Sequence, residues 1–261
     1  MMASNSQPGD PGMGRLSITW LGHSTVLLEL DGVRMLTDPV LRRRVGPLLR
    51  VAPQPGPESV RAVDCVLLSH LHLDHADIPT LRAVVRSGPI LAPHPARDWL
   101  VGRGLRDVRD LRAGEATGVG GLRITATPAD HSSARRPLGP RANPIGYLIQ
   151  GSRSAYFAGD TDLFPGMADL RGLAELALLP VWGWGSRLGP GHLDPESAAA
   201  ATALIAPAVV IPIHWGTLAL AATRRRQTDR DRPALAFAGF CRRYAPGVEV
   251  RLLTPGARIT L

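Results

Sequence analysis

Residues Ser69-His70-Leu71-His72-Leu73-Asp74-His75 place three imidazoles and a carboxylate within six positions. Such groups are costly to bury unless they bind something. The run leading into them, Val63 to Ser69 (VDCVLLS), reads as the buried strand Asp64 to Leu68 rather than as a surface segment. In an extended chain successive side chains alternate, so His70 and His72 point to one side and can share one metal ion. The chain is expected to turn into a helix near Asp74, with Asp74 and His75 reaching a second ion and a further helix over Ile78 to Arg86. Ligand type and spacing favour metal binding over a surface polar cluster.

Two ions need more ligands than this segment supplies. His131 follows the strand GGLRITATPAD, Asp160 ends SAYFAG, and His214 ends AVVIPI. Each is a metal-competent side chain placed where an apolar strand gives way to a loop. Any one of them could be a structural residue; four strands delivering such groups predict convergence at one edge of the sheets.

The remaining chain alternates short apolar runs with short helices. Leu16 to Trp20, Thr25 to Leu30 and Val33 to Thr37 are expected to open the fold as an antiparallel meander, with turns at Gly22 and Asp31-Gly32. Five prolines and the run Arg42 to Arg44 make Asp38 to Ser59 a long loop without a regular helix or central strand. Further strands are expected at Ile90 to Ala92, Gly121 to Thr127, Ile145 to Gln150, Ser154 to Ala158, Ala174 to Val181, Ala208 to Ile213 and Val248 to Leu253. Helices are expected at Ala96 to Val101, Pro195 to Ile205 and Ala234 to Tyr244. No internal repeat or linker divides the chain, so residues 15–261 are expected to form one domain behind a polar, disordered leader at 1–14. A two-sheet core with helices outside is the natural packing.

The pattern resembles the metallo-β-lactamase superfamily, whose signature is His-x-His-x-Asp-His followed by isolated His, Asp and His ligands. The blocks TWLGHSTVLLELDG, LTDPV, VLLSHLHLDHAD, PADHSSAR, YFAGDTD, GHLDPESA and IPIHWGT resemble, in order, the branch that contains N-acylphosphatidylethanolamine phospholipase D and the ascorbate-6-phosphate lactonases. The resemblance runs from about Ile18 to Thr217. It implies the α+β four-layer αβ/βα sandwich of that superfamily, two mostly antiparallel or mixed sheets with outer helices. It also implies that His70, His72 and His131 hold one metal, that Asp74, His75 and His214 hold a second, and that Asp160 bridges them. Zinc suits this mixed imidazole and carboxylate set, while manganese or iron remain open because oxygen ligands also suit harder ions. Such ions lie roughly 3.5 to 4 Å apart and clamp a hydroxide that attacks the substrate. Asp74, Asp160 and His192 are the residues expected to take part in catalysis, on a phosphodiester or a lactone-like ester. A nuclease or phosphodiesterase acting on RNA or nucleotides and a non-catalytic metal-binding sensor are the alternatives.

His192, in GPGHLDPES, is placed by the resemblance at the mouth of the site, where it would bind a substrate anion or protonate the leaving group. The structural alternative is that it orders the loop ahead of a helix capped by Asp194 and started by Pro195. Asp38, at the end of a strand, and His23, in the first turn, are candidates to support the ligands from behind, Asp38 as a partner for a metal-bound imidazole, while for His23 a place at the site edge and a structural role both stand open. His94, between two prolines, reads as structural. Trp182, Trp184 and Trp215 would either wall a pocket or pack beneath the loops.

Of 261 residues, 30 are basic, all of them arginine, and 22 are acidic, giving a net charge of +8. Such a balance fits a nucleic-acid partner or a compositional bias toward Arg, Ala, Gly and Pro; charge alone decides neither. A specific nucleic-acid partner is not expected. If Arg42 to Arg44, Arg135 and Arg136 border the site, they would favour a small anionic substrate. No apolar run reaches the roughly 18 to 20 residues of a membrane span. Cys65 and Cys241 sit in apolar contexts and read as buried hydrophobes, so a reducing cytoplasm is the simplest compartment.

Overall fold

The computed structural model describes residues 14–135, 139–184, 188–222 and 229–261. Residues 1–13 of the expected leader and Arg136 lie outside them. Gly14 is tied down, its carbonyl accepting from Arg153 Nε at 2.8 Å.

The chain opens as the expected meander of β1 (Leu16–Gly22), β2 (Thr25–Leu30) and β3 (Val33–Thr37). A small hairpin follows, β4 (Arg44–Val45) and β5 (Leu48–Arg50), where only loop was expected. Pro47 falls in its turn and the later prolines come after β5, so the ladder positions themselves are free of proline. Then come β6 (Cys65–Leu67), α1 (Ile78–Val84), β7 (Ile90–Pro93), α2 (Arg97–Val101) and β8 (Val108–Leu111). The second half runs β9 (Ala116–Val119), β10 (Leu122–Pro128), β11 (Ile145–Gln150), β12 (Ser154–Phe157), β13 (Leu176–Pro180), α3 (Pro195–Ile205) and β14 (Val209–Ile213). It closes with β15 (Leu218–Leu220), α4 (Arg232–Tyr244), β16 (Glu249–Val250) and β17 (Arg258–Thr260). The strand expected over Val248 to Leu253 is thus confined to β16.

Two seven-stranded mixed sheets result, β17-β1-β2-β3-β6-β7-β8 and β16-β14-β13-β12-β11-β10-β9, with a third small sheet β15-β5-β4 in which β5 is central. In each large sheet antiparallel pairings at one side give way to three parallel pairings at the other. One core lies between the large sheets and takes Met35, Cys65, Leu67 and Leu91 from the first and Ile124, Tyr147, Phe157 and Leu178 from the second. A second core takes the alternate residues Leu36, Val66, Ile90 and Ala92, together with Leu81 and Leu100 of α1 and α2. Strands β6 and β7 are apolar on both faces for this reason, which is why they read as continuous apolar runs. Helices α3 and α4 cover the other sheet through Ala198, Ala201, Ile205, Phe237 and Cys241. The two cysteines are free and buried, as expected.

The helix expected from Asp74 begins instead at Ile78. Residues 73–75 form a turn closed by Ala76 N donating to the His72 carbonyl at 2.8 Å. Asp77 caps α1 by accepting from Thr80 N, and Pro79 stands in its first turn. Among the described residues no helix is long and apolar enough to cross a membrane.

Candidate metal centre

The loops that leave the C-terminal ends of β3, β6, β10, β12 and β14 deliver Asp38, His70 to His75, His131, Asp160 and His214 to one place, as the strand pattern predicted. His23 joins them from the β1–β2 turn. Three of these positions hold left-handed backbone without glycine: His23 at φ 55°, Asp38 at φ 31° and His214 at φ 64°. Strain of this kind persists where surrounding contacts over-determine the conformation, and it concentrates at functional sites. Gly159 is required for a different reason. A Cβ there would come within 2.5 Å of the Ser69 Cβ, so only glycine lets Asp160 pass this close to the His-rich loop.

The ligand-competent atoms of His70, His72 and His131 lie within 4.8 Å of one another, and so do those of Asp74, His75, His214 and His23. These are the two expected triplets, the second with His23 added. His72 Nδ1 lies 3.1 Å from His131 Nε2, and His75 Nε2 lies 3.1 Å from His214 Nε2. Two nitrogens each about 2.0–2.1 Å from one tetrahedral zinc would be separated by about 3.3 Å. Asp160 stands between the groups: its Oδ1 is 3.3 Å from His214 Nε2, and its Oδ2 is 3.3 Å from His75 Nε2 and 4.0 Å from His131 Nε2.

Five histidines share one pattern of anchorage. His70 Nδ1 meets Ser69 Oγ, His75 Nδ1 meets Asp38, His131 Nδ1 meets the Gly191 carbonyl, His214 Nδ1 meets the Trp182 carbonyl, and His72 Nε2 meets the Ala134 carbonyl. In each case the other ring nitrogen faces the chamber. An outward N–H on an oxygen acceptor fixes the tautomer and leaves the inward lone pair for a cation. His70 Nε2 and Asp160 Oδ1 are buried without a hydrogen-bond partner, which is the condition that a bound cation would relieve. The donor set therefore fits divalent metal.

Electrostatics point the same way. Burial would push the Asp160 and Asp74 carboxyls up, but the surrounding imidazoles outweigh it and hold both well below the usual carboxylate range. Burial lowers His70 well below the ordinary imidazole value, His131 to about 4 and His23 to about 3, and it lowers His72 and His214 as well. Burial alone would lower His75 too, yet Asp160, Asp74 and Asp38 hold it well above that value. Burial and mutual charge thus favour ionised carboxylates and, His75 apart, neutral imidazoles, the forms in which these groups bind a cation.

A family model described as "Beta-lactamase superfamily domain" matches residues 33–215. The chain belongs to the metallo-β-lactamase superfamily. A metal-dependent hydrolase from Methanopyrus kandleri is 36% identical over 209 residues, covering 77% of this chain and 85% of its own length. An N-acyl-phosphatidylethanolamine-hydrolyzing phospholipase D from Caenorhabditis elegans is 30% identical over 244 residues, with 83% and 68% covered. The solved structure of a metallo hydrolase from Ignicoccus hospitalis superposes with a TM-score of 0.73 at 26% identity over 95% of this chain and 98% of that one. The match spans 60% of the length of the first mycobacterial relatives, which are uncharacterized proteins 34% identical over 224 residues.

Around this superfamily centre the other sequence candidates separate clearly. His192 lies at the chamber mouth, Nε2 3.5 Å from Asp160 Oδ2. The next residues also make the expected cap: Asp194 accepts from the backbone of Glu196 and Ser197. A cavity of about 370 Å³ opens over the centre, bordered by Pro47, Leu48, Leu73, Trp184 and Leu188 as well as by Arg135 and His192. Trp184 donates its indole N–H to Asp74 at 2.9 Å, whereas Trp215 is buried against Trp20 and Trp182 packs on the core. His94 lies away from the site, beside Asp110 and Arg112. Of the arginines expected at the border, only Arg135 lines the cavity among the described residues; Arg42 is paired with Asp77 instead. The sequence marked His23 and Trp184 as candidates but not their common partner Asp74, which is 51 and 110 residues away.

Proposed function

We propose that the chain is a metal-dependent hydrolase of the metallo-β-lactamase superfamily with a dinuclear centre. His70, His72 and His131 would hold one ion, Asp74, His75 and His214 the other, and Asp160 both. The single observation that carries this reading is the shared anchorage of five imidazoles, each turning one lone pair into a chamber that also holds the two oxygens of Asp160.

When bound, two divalent ions, most simply zinc, would supply a water deprotonated near neutral pH and would polarise the oxygen of the substrate. The protein supplies position and a proton. Asp160, the residue with an oxygen toward each triplet, sets the relation between the two halves. His192 stands where it can donate a proton from Nε2 to a leaving group, while its Nδ1 rests beside the carbonyls of Gly189 and Pro190. The apolar border would exclude water from one side of the substrate.

The substrate class proposed is a phosphodiester or a lactone-like ester. The named reaction of the C. elegans relative, hydrolysis of an N-acyl phospholipid, supports the phosphodiester arm. Side-by-side assays of metal-reconstituted protein on a bis-aryl phosphodiester, a phosphomonoester, a lactone, a β-lactam and an N-acyl phospholipid should show turnover of one class. Asp160→Ala should abolish that turnover and lower the metal content. Full activity of Asp160→Ala with two bound ions would sink the scheme, as would failure of the wild type to bind metal.

A further inference from the structure

His23 reverses the pattern of the other five site histidines. Its Nε2 faces Asp74 Oδ2 at 2.9 Å, while its outward nitrogen Nδ1 is buried without a hydrogen-bond partner. A ligand imidazole in this protein has its outward nitrogen anchored, and His23 does not.

The partner atom decides the direction of the contact. Unlike the nitrogen–nitrogen pairs of the two triplets, this contact joins a ring nitrogen to a carboxylate oxygen at an ordinary hydrogen-bond length, so Nε2–H donating to Oδ2 satisfies both atoms without an ion. Trp184 Nε1, which can only donate, reaches the same Oδ2 at 2.9 Å. One carboxylate oxygen therefore receives two N–H donors, from residues on opposite sides of the sequence motif. With its proton on Nε2, His23 has no lone pair there to give to an ion.

The backbone of His23 is fixed as firmly as its ring. Its N–H donates to Thr217 Oγ1 at 2.7 Å, and its carbonyl accepts from His214 N at 2.9 Å and from the Trp20 indole at 2.9 Å. Its ring lies against that of His214 with centroids 3.8 Å apart. The β1–β2 turn is thus locked to the loop that carries His214.

We propose that His23 and Trp184 are positioning residues that clamp Asp74 by two N–H donors and so preorganise the second triplet for its ion, His23 itself being no ligand. The proposal rests on the dinuclear reading above. It assigns the second site a support that the first site lacks, since among the described residues His70, His72 and His131 are hydrogen-bonded to Ser69, Ala134, Gly191 and one another and not to His23 or Trp184.

The test is metal titration of chelator-treated protein with Zn2+ against a competing indicator, alongside thermal unfolding of the metal-free form. Four proteins are compared: wild type, His23→Gln, His23→Leu and Trp184→Phe. Glutamine places an amide N–H where His23 has Nε2 but is a poor zinc ligand; leucine and phenylalanine keep bulk and remove the donor. The expected result is weakening of the second ion by about 10- to 100-fold in His23→Leu and in Trp184→Phe, the range for loss of a residue that supports a ligand. His23→Gln should stay near wild type, and affinity for the first ion should not change in any of them. Equal weakening in His23→Gln and His23→Leu, with metal-free stability intact, would show that the ring nitrogen is itself a ligand and overturn the proposal. Wild-type affinity in both His23→Leu and Trp184→Phe would overturn it also. If His23→Leu does not fold, the decision passes to His23→Gln and Trp184→Phe on the same criteria. A wild type that binds only one ion would instead refute the dinuclear reading on which the clamp depends.

Discussion

Asp38→Asn changes one atom and should weaken both metal positions. Asp38 is fully buried, its Oδ1 accepts from Ser69 N at 2.7 Å, and its Oδ2 accepts from Ser69 Oγ and lies 2.7 Å from His75 Nδ1. Ser69 Oγ in turn lies 3.0 Å from His70 Nδ1. A relay follows in which His70 Nδ1–H donates to Ser69 Oγ, Ser69 O–H donates to Asp38, and His75 Nδ1–H donates to the same carboxylate. One carboxylate thereby fixes the tautomer of an imidazole in each triplet. With asparagine, either amide orientation sets an NH2 against a donor: against Ser69 Oγ and His75 in one, against Ser69 N in the other. To avoid the first clash His75 must move its proton to Nε2, which removes the lone pair facing the site. Loss of such a support costs about 10- to 100-fold in metal affinity, or about 1.4 to 2.8 kcal/mol per ion at 1.4 kcal/mol for each factor of ten. The metal-free fold should lose about 1.5 to 3 kcal/mol as well, the scale of one hydrogen bond to a charged group. Competition with a chelating indicator reads the first quantity and urea unfolding the second. An Asp38→Asn protein that holds both ions with wild-type affinity would refute the relay.

Three further outcomes are expected. His192→Ala should lower kcat/KM by about 100-fold or more, the scale of a general acid, while leaving the bound metal unchanged; loss of metal in this variant would move His192 into the ligand set. Stability of the metal-free protein should decline as pH falls from 6.5 toward 3 to 4. His23, His70, His72, His131 and His214 are held below their unfolded value of 6.5, so the unfolded chain takes up their protons first. His75 works in the opposite sense: its raised value stabilises the fold below 6.5 and is lost at higher pH. A thermal midpoint that rises on acidification across that window would contradict the balance of five against one. Cys65 and Cys241, buried with thiols pushed up to about 12 and about 11, should resist a thiol reagent in the native protein and react only on unfolding; rapid native labelling of Cys65 would show that the core between the sheets opens, and of Cys241 that α4 lifts from α3.

Much of the candidate centre was legible because its ligand-competent side chains sit where strands end, and strand ends are marked by the change from apolar runs to polar residues. His70, His72, Asp74, His75, His131, Asp160 and His214 all announced themselves this way. Interactions that depend on chain crossing did not. Nothing local in TWLGHST shows that His23 meets Asp74, and nothing in VWGWG shows which tryptophan turns inward. Trp184 reaches the site while Trp182, two residues earlier, packs on the core. The fold was legible to a similar depth: β11 and α3 match their expected bounds because an apolar run with a glycine turn, or a capped Ala-rich segment, is self-contained. Strands β4, β5 and β15 are two or three residues long and exist only through one another, so the proline-rich stretch gave no sign of a central strand. The turn at 73–75 likewise prevailed over a helix because Asp77 and Pro79 together make a stronger start three residues later.

The arginines have a different meaning in the structure from the one their number suggested. Arg42 forks onto Asp77, the residue that caps α1 directly after the His-rich turn. Arg44 turns to the Gly46 carbonyl in the hairpin, and Arg50 donates to the carbonyls of Leu21 and Val40. Arg135 lines the cavity, but its guanidinium donates to the carbonyls of Leu71, His72 and Ala76 and lies 4.9 Å above the Trp99 ring. Of these, Arg135 satisfies carbonyls of the irregular His-rich loop, which that backbone cannot satisfy through a helix or a strand. Arg135 thus holds the His-rich loop while Arg42, Arg44 and Arg50 hold the segments beside it, and the cavity border above is largely apolar. Recognition of a negative group on the substrate would then fall to the ions and His192, with the remainder of the substrate lying against Leu48, Leu73, Trp184 and Leu188. On this argument Arg135→Ala should act first on metal retention and loop order rather than on KM for an anion, and that is the distinction by which a scaffolding arginine is told from a binding one.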